Sequence, residues 1–292
     1  MAKTKIPVYD IYSIIPGHTQ QDLLMERLGP YVQKHQHLHS QHGHSFYHLV
    51  LFTKGAGTHT IDFTHFTVQP YQVYFMIPGQ VHSWHFEGGV EGYLVHFSPA
   101  FFQSFLNDQQ YLARFDFFKG DSEAAVLKIP AALRETIVQL FEQMLQELEK
   151  PRESGLDMIR TYLLQFFIQL ERSTATGVRH TVPPQKQLLL NNFQQLINQH
   201  YNTIRLPKEY AELLYITPNH LNALCQDLLG KTAGEVIRDR VLLEAKRLLV
   251  NKKLTITEIA WHLNFQDNSY FNRFFKKNTG LTPEAFRKQF SH

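Results

Sequence analysis

The feature that most restricts the fold of this 292-residue chain is a repeat in its last third. Ala211-Glu-Leu-Leu-Tyr-Ile216 matches Ala260-Trp-His-Leu-Asn-Phe265. With one residue inserted, His220-Leu-Asn222 then matches Tyr270-Phe-Asn272, and Gly230-Lys-Thr232 matches Gly280-Leu-Thr282. Two copies are too few for a solenoid, whose units need several neighbours to bury a core. The pattern therefore predicts one duplicated supersecondary unit. Each copy reads as helix, tight turn, helix. In the first copy, Pro207 suits a first helical position, and Thr217-Pro218 supplies an N-cap followed by proline at N1 for a helix to Leu229. In the second, Thr255-Ile-Thr-Glu258 is a capping box and Asp267 caps the helix that follows. Gly230 and Gly280 suit left-handed helix ends. A long helix over 233–250, opened by the capping box of Thr232 and Glu235, joins the copies.

Charge separates this region from the rest. Residues 185–292 carry 15 Lys/Arg against 9 Asp/Glu, whereas residues 1–184 carry 14 against 17. A basic helical unit points to a polyanion. The second helix of a helix-turn-helix enters the DNA major groove. In the copy over 268–279 it offers Asn268, Ser269, Asn272, Arg273, Lys276 and Lys277. Tyr270, Phe271, Phe274 and Phe275 take the core spacing. Arginine can bond guanine bidentately, asparagine can pair with adenine, and lysine suits phosphate. The copy over 218–229 offers Asn219, His220, Asn222 and Ala223. Cys225 aligns with Phe275 and reads as a small core residue. Being the one cysteine, it leaves no internal disulfide and no cysteine zinc module.

The first part of the chain has a different period. Phe46–Phe52, Thr58–Phe63, Gln72–Ile77, Val81–Phe86 and Gly92–Phe97 are short strand-like runs bounded by glycine and proline turns, which predicts an antiparallel barrel or sandwich. Lys54-Gly-Ala-Gly57 between the first two reads as a hairpin turn. From about 131 the period becomes 3.6, with an apolar stripe from Leu133 to Leu148. In a second helix, Leu156, Ile159, Leu163, Phe166 and Leu170 form an a/d seam, expected to be a homodimer interface. Residues 173–186, small, polar and carrying Pro183-Pro184, read as a linker. The expected division is 1–172, linker 173–186, and 187–292. No apolar run of about 18 residues occurs, so no membrane span is expected. The opening residues lack the apolar core of a secretory signal, so a cytoplasmic protein is expected.

The stretch from Ile259-Ala260 through Asn264-Phe265, Asp267, Ser269-Tyr-Phe271, Arg273, Phe275-Lys-Lys277, Gly280, Thr282-Pro283 and Phe286-Arg287 closely resembles the AraC family of bacterial transcription regulators. The family usually has glycine where this chain has Asn264, and asparagine tolerates the left-handed turn. The resemblance covers about the last hundred residues. It implies sequence-specific binding of both second helices to successive major grooves of double-stranded DNA, with Asn219, His220, Asn222, Asn268, Asn272 and Arg273 facing bases. It also implies a homodimer, RNA polymerase as a partner, and no enzymatic activity.

More loosely, residues 42–82 resemble the cupin barrel that such regulators carry for a small-molecule effector. His42-x-His44-x3-His48-x6-Gly55 follows the first cupin motif with His48 in the usual glutamate position, and Pro78-Gly79-x2-His82 follows the second. His44, His48, His59, Tyr74, His82, Trp84 and His96 are candidates to line the effector pocket, with a sugar or another small polar molecule as ligand. In metal-binding cupins the matching positions ligate a divalent ion, which makes His42, His44 and His82 the candidate metal set. His44 and His48 would lie about 13 Å apart on a straight strand, so convergence there needs a bend. An organic effector with no cofactor is the preferred reading. A divalent transition metal is its alternative, in a metal-sensing regulator or a metal-dependent cupin enzyme. His35, His37 and His39 are expected to be an exposed polar segment.

Overall fold

The computed structural model describes residues 7–14, 22–103, 105–106, 111–149, 152–174, 183–250 and 254–290. The chain packs as two units, described over 7–174 and 183–290. The first runs β1 (Val8–Tyr9), α1 (Ile11–Ile14), β2 (Leu23–Arg27), α2 (Leu28–Lys34), β3 (His42–His44), β4 (Tyr47–Lys54), β5 (Gly57–Ile61), β6 (Thr64–Thr67), β7 (Gln72–Met76), β8 (Val81–Phe86), β9 (Glu91–Phe97), β10 (Val126–Lys128), α3 (Arg134–Glu149) and α4 (Gly155–Thr174). Two five-stranded sheets form, in orders β1-β3-β8-β5-β6 and β10-β7-β4-β9-β2. The expected antiparallel β architecture is present, with one parallel pair, β1 and β3.

The hairpin expected at Lys54–Gly57 does not form. β4 pairs with β7 and β9, whereas β5 pairs with β6 and β8 in the other sheet. Gly55 and Gly57 hold φ of 138° and 130°. A Cβ on Gly57 would lie 2.2 Å from the His85 carbonyl oxygen, so glycine is required for the chain to leave one sheet and enter the other. The chain changes sheet again between β3 and β4 and between β7 and β8. These crossings set the two sheets face to face.

The second sheet is buried on both sides. Leu49, Leu51, Val73, Phe75, Val95 and Phe97 point outward into one apolar cluster. The alternate residues Val50, Phe52, Tyr74, Met76 and Leu94 point into the cluster between the sheets. Burial on both faces explains why these strands read as continuous apolar runs. The outward cluster is closed by α3, α4 and the phenylalanines of 101–118. Here the seam reading needs correction. Ile159, Leu163, Phe166 and Leu170 are fully buried within this chain against that sheet, as is Phe167, and Leu156 at the start of the seam is 42% exposed. A helix covering a sheet and a helix in a coiled coil need the same apolar spacing, and here the sheet takes the seam.

The second unit runs α5 (Pro184–His200), α6 (Pro207–Leu213), α7 (Pro218–Leu229), α8 (Ala233–Val250), α9 (Ile256–His262), α10 (Asn268–Thr279) and α11 (Pro283–Phe290). The expected linker is shorter at both ends. Residues 173 and 174 close α4 and Pro184–Lys186 open α5, where proline suits the first helical position. Residues 175–182 lie outside the described residues. Leu190, Phe193 and Ile197 of α5 cover Tyr210, Ala211, Leu221 and Cys225 of the first copy. Among the described residues no helix is long and apolar enough to cross a membrane.

The copies share their turn bond for bond. Ile216 N donates to Ala211 O at 3.0 Å, and Phe265 N to Ala260 O at 2.8 Å. The residue before each is left-handed: Tyr215 at φ 56° and Asn264 at φ 55°. Asn264 therefore does fill the glycine position of the turn. Tyr215 fills the matching position at the cost its Cβ imposes, about 1–2 kcal/mol. It is 97% exposed, so little packing compensates. Tyr215→Gly should raise the stability of the second unit by about 1 kcal/mol in denaturant unfolding. A decrease would mean that the tyrosine makes stabilising contacts of its own.

Candidate nucleic-acid interface and ligand site

The second helices of the copies are α7 and α10, and their caps hold them firmly. Thr217 Oγ1 accepts from His220 N at 3.2 Å and Asp267 Oδ1 from Tyr270 N at 2.6 Å. Gly230 and Gly280 close them at φ 65° and 78°. On α7, Asn219 and His220 are exposed as expected. Asn222 is engaged within the protein instead of standing free. It is half-buried, and its Oδ1 accepts from Ala233 N at 3.0 Å, tying α7 to the start of α8. In the second copy the position of Ala233 is Pro283, which has no N–H. Asn272, the counterpart of Asn222, turns instead along its own helix and donates to Asn268 O at 2.8 Å and Asn268 Oδ1 at 3.1 Å. Asn268 is half-buried and donates to Thr257 Oγ1 at 3.4 Å. Both carboxamides are thus engaged inside the protein. Ser269, Arg273, Lys276 and Lys277 are exposed.

Tyr270 also differs from expectation. Phe271 and Phe275, four residues apart, point into the core, and Tyr270 lies about 100° round the helix and is 53% exposed. It lines a groove of about 730 Å³ with Arg205, Arg238 and Arg273. Arg205 is structural there: its guanidinium bonds the Leu263 carbonyl and lies 4.6 Å from the Phe265 ring centroid. Arg238 of α8 is exposed beside Arg273 and Lys277. The repeat gives no signal for it, because α8 joins the two copies and belongs to neither second helix.

In the first unit, His44, His48, His59, Tyr74, His82, Trp84 and His96 are all buried and meet between the sheets. The bend needed between His44 and His48 is the crossing from β3 to β4, and the two rings stack with centroids 5.1 Å apart. His44 Nε2 lies 2.7 Å from His82 Nε2, His59 Nε2 lies 3.0 Å from His82 Nδ1, and His48 Nδ1 lies 2.7 Å from His96 Nε2. His42 faces His82 across the β3–β8 ladder and bonds Ser40 O through Nδ1 at 2.8 Å. Tyr31 of α2 closes the cluster edge-on against His96. Nothing in the sequence pattern pointed to Tyr31. His35 is buried against Tyr31, contrary to expectation, while His37 is exposed.

Burial lowers the basicity of all six core imidazoles. It pushes His42 down to about 4 and His59 to about 3, and holds His44, His48, His82 and His96 well below the ordinary value. Mutual repulsion among the imidazoles, should any of them take a proton, reinforces this. All six are neutral near pH 7, and each therefore keeps one nitrogen lone pair. His44 Nδ1, His48 Nε2, His59 Nδ1, His96 Nδ1 and Trp84 Nε1 are buried without a hydrogen-bond partner among the described residues. Buried polar atoms of this kind ordinarily find partners, so the interior is chemically suited to a polar ligand.

A helix-turn-helix domain family model matches residues 210–289, and an AraC-like ligand binding domain model matches residues 27–165. A ligand-binding β unit joined to a duplicated helix-turn-helix defines a ligand-responsive transcription regulator. The HTH-type transcriptional activator RhaR of Cronobacter sakazakii is 23% identical over 259 residues, 87% of this chain and 88% of the relative. The uncharacterized HTH-type transcriptional regulator YijO of Escherichia coli K12 is 32% identical over 104 residues, 36% of this chain and 37% of the relative. Among solved structures, ToxT from Vibrio cholerae is 11% identical, with 93% of this chain and 100% of ToxT covered, at a TM-score of 0.44. The chain belongs to the AraC family of transcription regulators.

Proposed function

We propose that this regulator acts in the cytoplasm as a homodimer, contacts RNA polymerase, and reads DNA through Asn219 and His220 of α7 and Ser269 and Arg273 of α10. Lys276, Lys277 and Arg238 hold phosphates. A small polar effector occupies the histidine-lined interior of the first unit and alters DNA binding by the second. The observation that carries the DNA reading is the duplicated turn, because the same bond and the same left-handed residue recur in both copies. Support for the effector comes from the orphaned imidazole and indole nitrogens between the sheets. For the dimer, the a/d seam is already used within the chain, so a partner must find another face. Exposed Leu156 and Met158 on α4 are apolar surface it could cover.

The experiment is retention of pooled genomic DNA fragments by the purified full chain, followed by sequencing. A short recurrent sequence is expected, and retention without sequence preference would refute the reading. On the recovered site, Arg273→Ala should weaken binding by about 1–3 kcal/mol and relax preference at one position. Lys276→Ala should weaken all sequences nearly equally and flatten the salt dependence. Equal binding by wild type and Arg273→Ala would remove α10 from the bases.

A further inference from the structure

We propose that His42, His44 and His82 form a three-imidazole site for a late first-row divalent transition metal, with His59 as the residue that orients His82. The three side chains each bring one nitrogen within 4.8 Å of the others, and all three are buried. Hydrogen bonding already sets two of them for this role. The Ser40 carbonyl can only accept, so His42 Nδ1 carries its hydrogen and leaves the Nε2 lone pair available as a ligand. His82 Nδ1 faces His59 Nε2, and a hydrogen held there leaves the His82 Nε2 lone pair toward His44. His44 completes the set through Nε2, because its hydrogen can sit on Nδ1, which bonds nothing among the described residues. A metal-bound histidine ordinarily donates its other ring N–H in this way.

The chemistry of the donors selects the ion. Three neutral nitrogens with no carboxylate suit zinc, copper, nickel or cobalt and disfavour magnesium and calcium, which require oxygen. His48 stands where the cupin motif would supply a fourth ligand, but it is bonded to His96 through Nδ1 at 2.7 Å. The protein therefore offers three ligands and leaves a position for water or an anion, which would offset the ion's charge in this apolar interior. The Nε2 atoms of His44 and His82, 2.7 Å apart, need to separate by roughly 0.6 Å to become neighbouring ligands of a tetrahedral ion. That is a small side-chain movement.

The test is titration of chelator-treated full-length protein with Co²⁺, followed by visible absorption, equilibrium dialysis and elemental analysis, all without DNA. One equivalent should bind with the strong d–d absorption of a low-coordinate cobalt, be displaced by Zn²⁺, and resist a large excess of Mg²⁺. His44→Ala and His42→Ala should lose the band. His85→Ala, on the outward face of the same strand as His82, should keep it. His59→Ala should weaken binding 10–100-fold while the three ligands remain. The wild-type titration decides even if a variant fails to fold: no stoichiometric cobalt at micromolar protein would overturn the site. Retention of the band in His44→Ala and His42→Ala would also overturn it. Because no measurement involves DNA, the result stands apart from the regulatory reading of the second unit.

Discussion

Taking the metal-free protein from about pH 7.5 to about pH 5.5 is expected to unfold the first unit. The six buried imidazoles are neutral in the folded unit and held far below their ordinary value. In the unfolded chain they titrate near 6.5. The unfolded state thus binds protons that the folded state refuses, and stability rises with pH wherever that difference exists. Stability is complete above about 6.5 and is lost as the pH falls toward about 3–4, the range of His42 and His59. By about pH 5.5 each group costs about 1.4 kcal/mol, and six cost up to about 8 kcal/mol. That is comparable with the whole stability of a domain. The two tryptophans report it separately, since Trp84 is 4% exposed in the first unit and Trp261 is 65% exposed in the second. Emission should shift to the red as Trp84 meets water. An unchanged spectrum at about pH 5 would mean that the imidazoles accept protons in place.

The second large effect concerns α4. Phe167 is fully buried among Phe97, Phe102, Phe115, Phe117 and Phe118, with ring centroids 5.1–6.5 Å away. Phe167→Ala removes the common neighbour of these rings and should cost about 3–5 kcal/mol in the unfolding of the first unit. Leu163→Ala, in the expected dimer seam, should cost about 2–5 kcal/mol for the same reason. Sedimentation should show the oligomeric state of the folded protein unchanged by either. If Leu163→Ala instead dissociated the protein while leaving unfolding in denaturant untouched, the seam would belong to a partner after all.

What could be read in advance depended on whether it was local. The caps at Thr217, Thr255 and Asp267 and the left-handed glycines 230 and 280 involve residues close in sequence, and the structure forms each of them. Sheet membership is not local. A glycine turn at 55–57 serves a hairpin and a crossing between sheets equally well, and only the partners of β4 and β5 decide. The pocket residues were legible as types, because alternation places His48, Tyr74 and His96 on inward faces once strands exist. Their pairing was not, since His42 meets His82 through a ladder that joins residues forty apart. The bond of Asn222 to the Ala233 amide is invisible in the sequence because its partner comes from the next helix. The exposure of Tyr270 is hidden because a run of aromatic residues conceals which of them lie on the inner face.

The two second helices are alike in backbone and opposite in charge. Where α10 carries Arg273, Lys276 and Lys277, α7 carries Ala223, Gln226 and Asp227, and Asp227 is itself paired with Lys186 at 2.7 Å. On a duplex, counterion release is then concentrated under one helix. Rising ionic strength is therefore expected to weaken the contacts of α10 more than those of α7. On noncognate sequence, the proposed contacts predict that the hold comes mainly from α10. On the proposed reading, the salt dependence of arrival at a site is then expected to follow the charge of the second copy, and dwell time to follow the match beneath both.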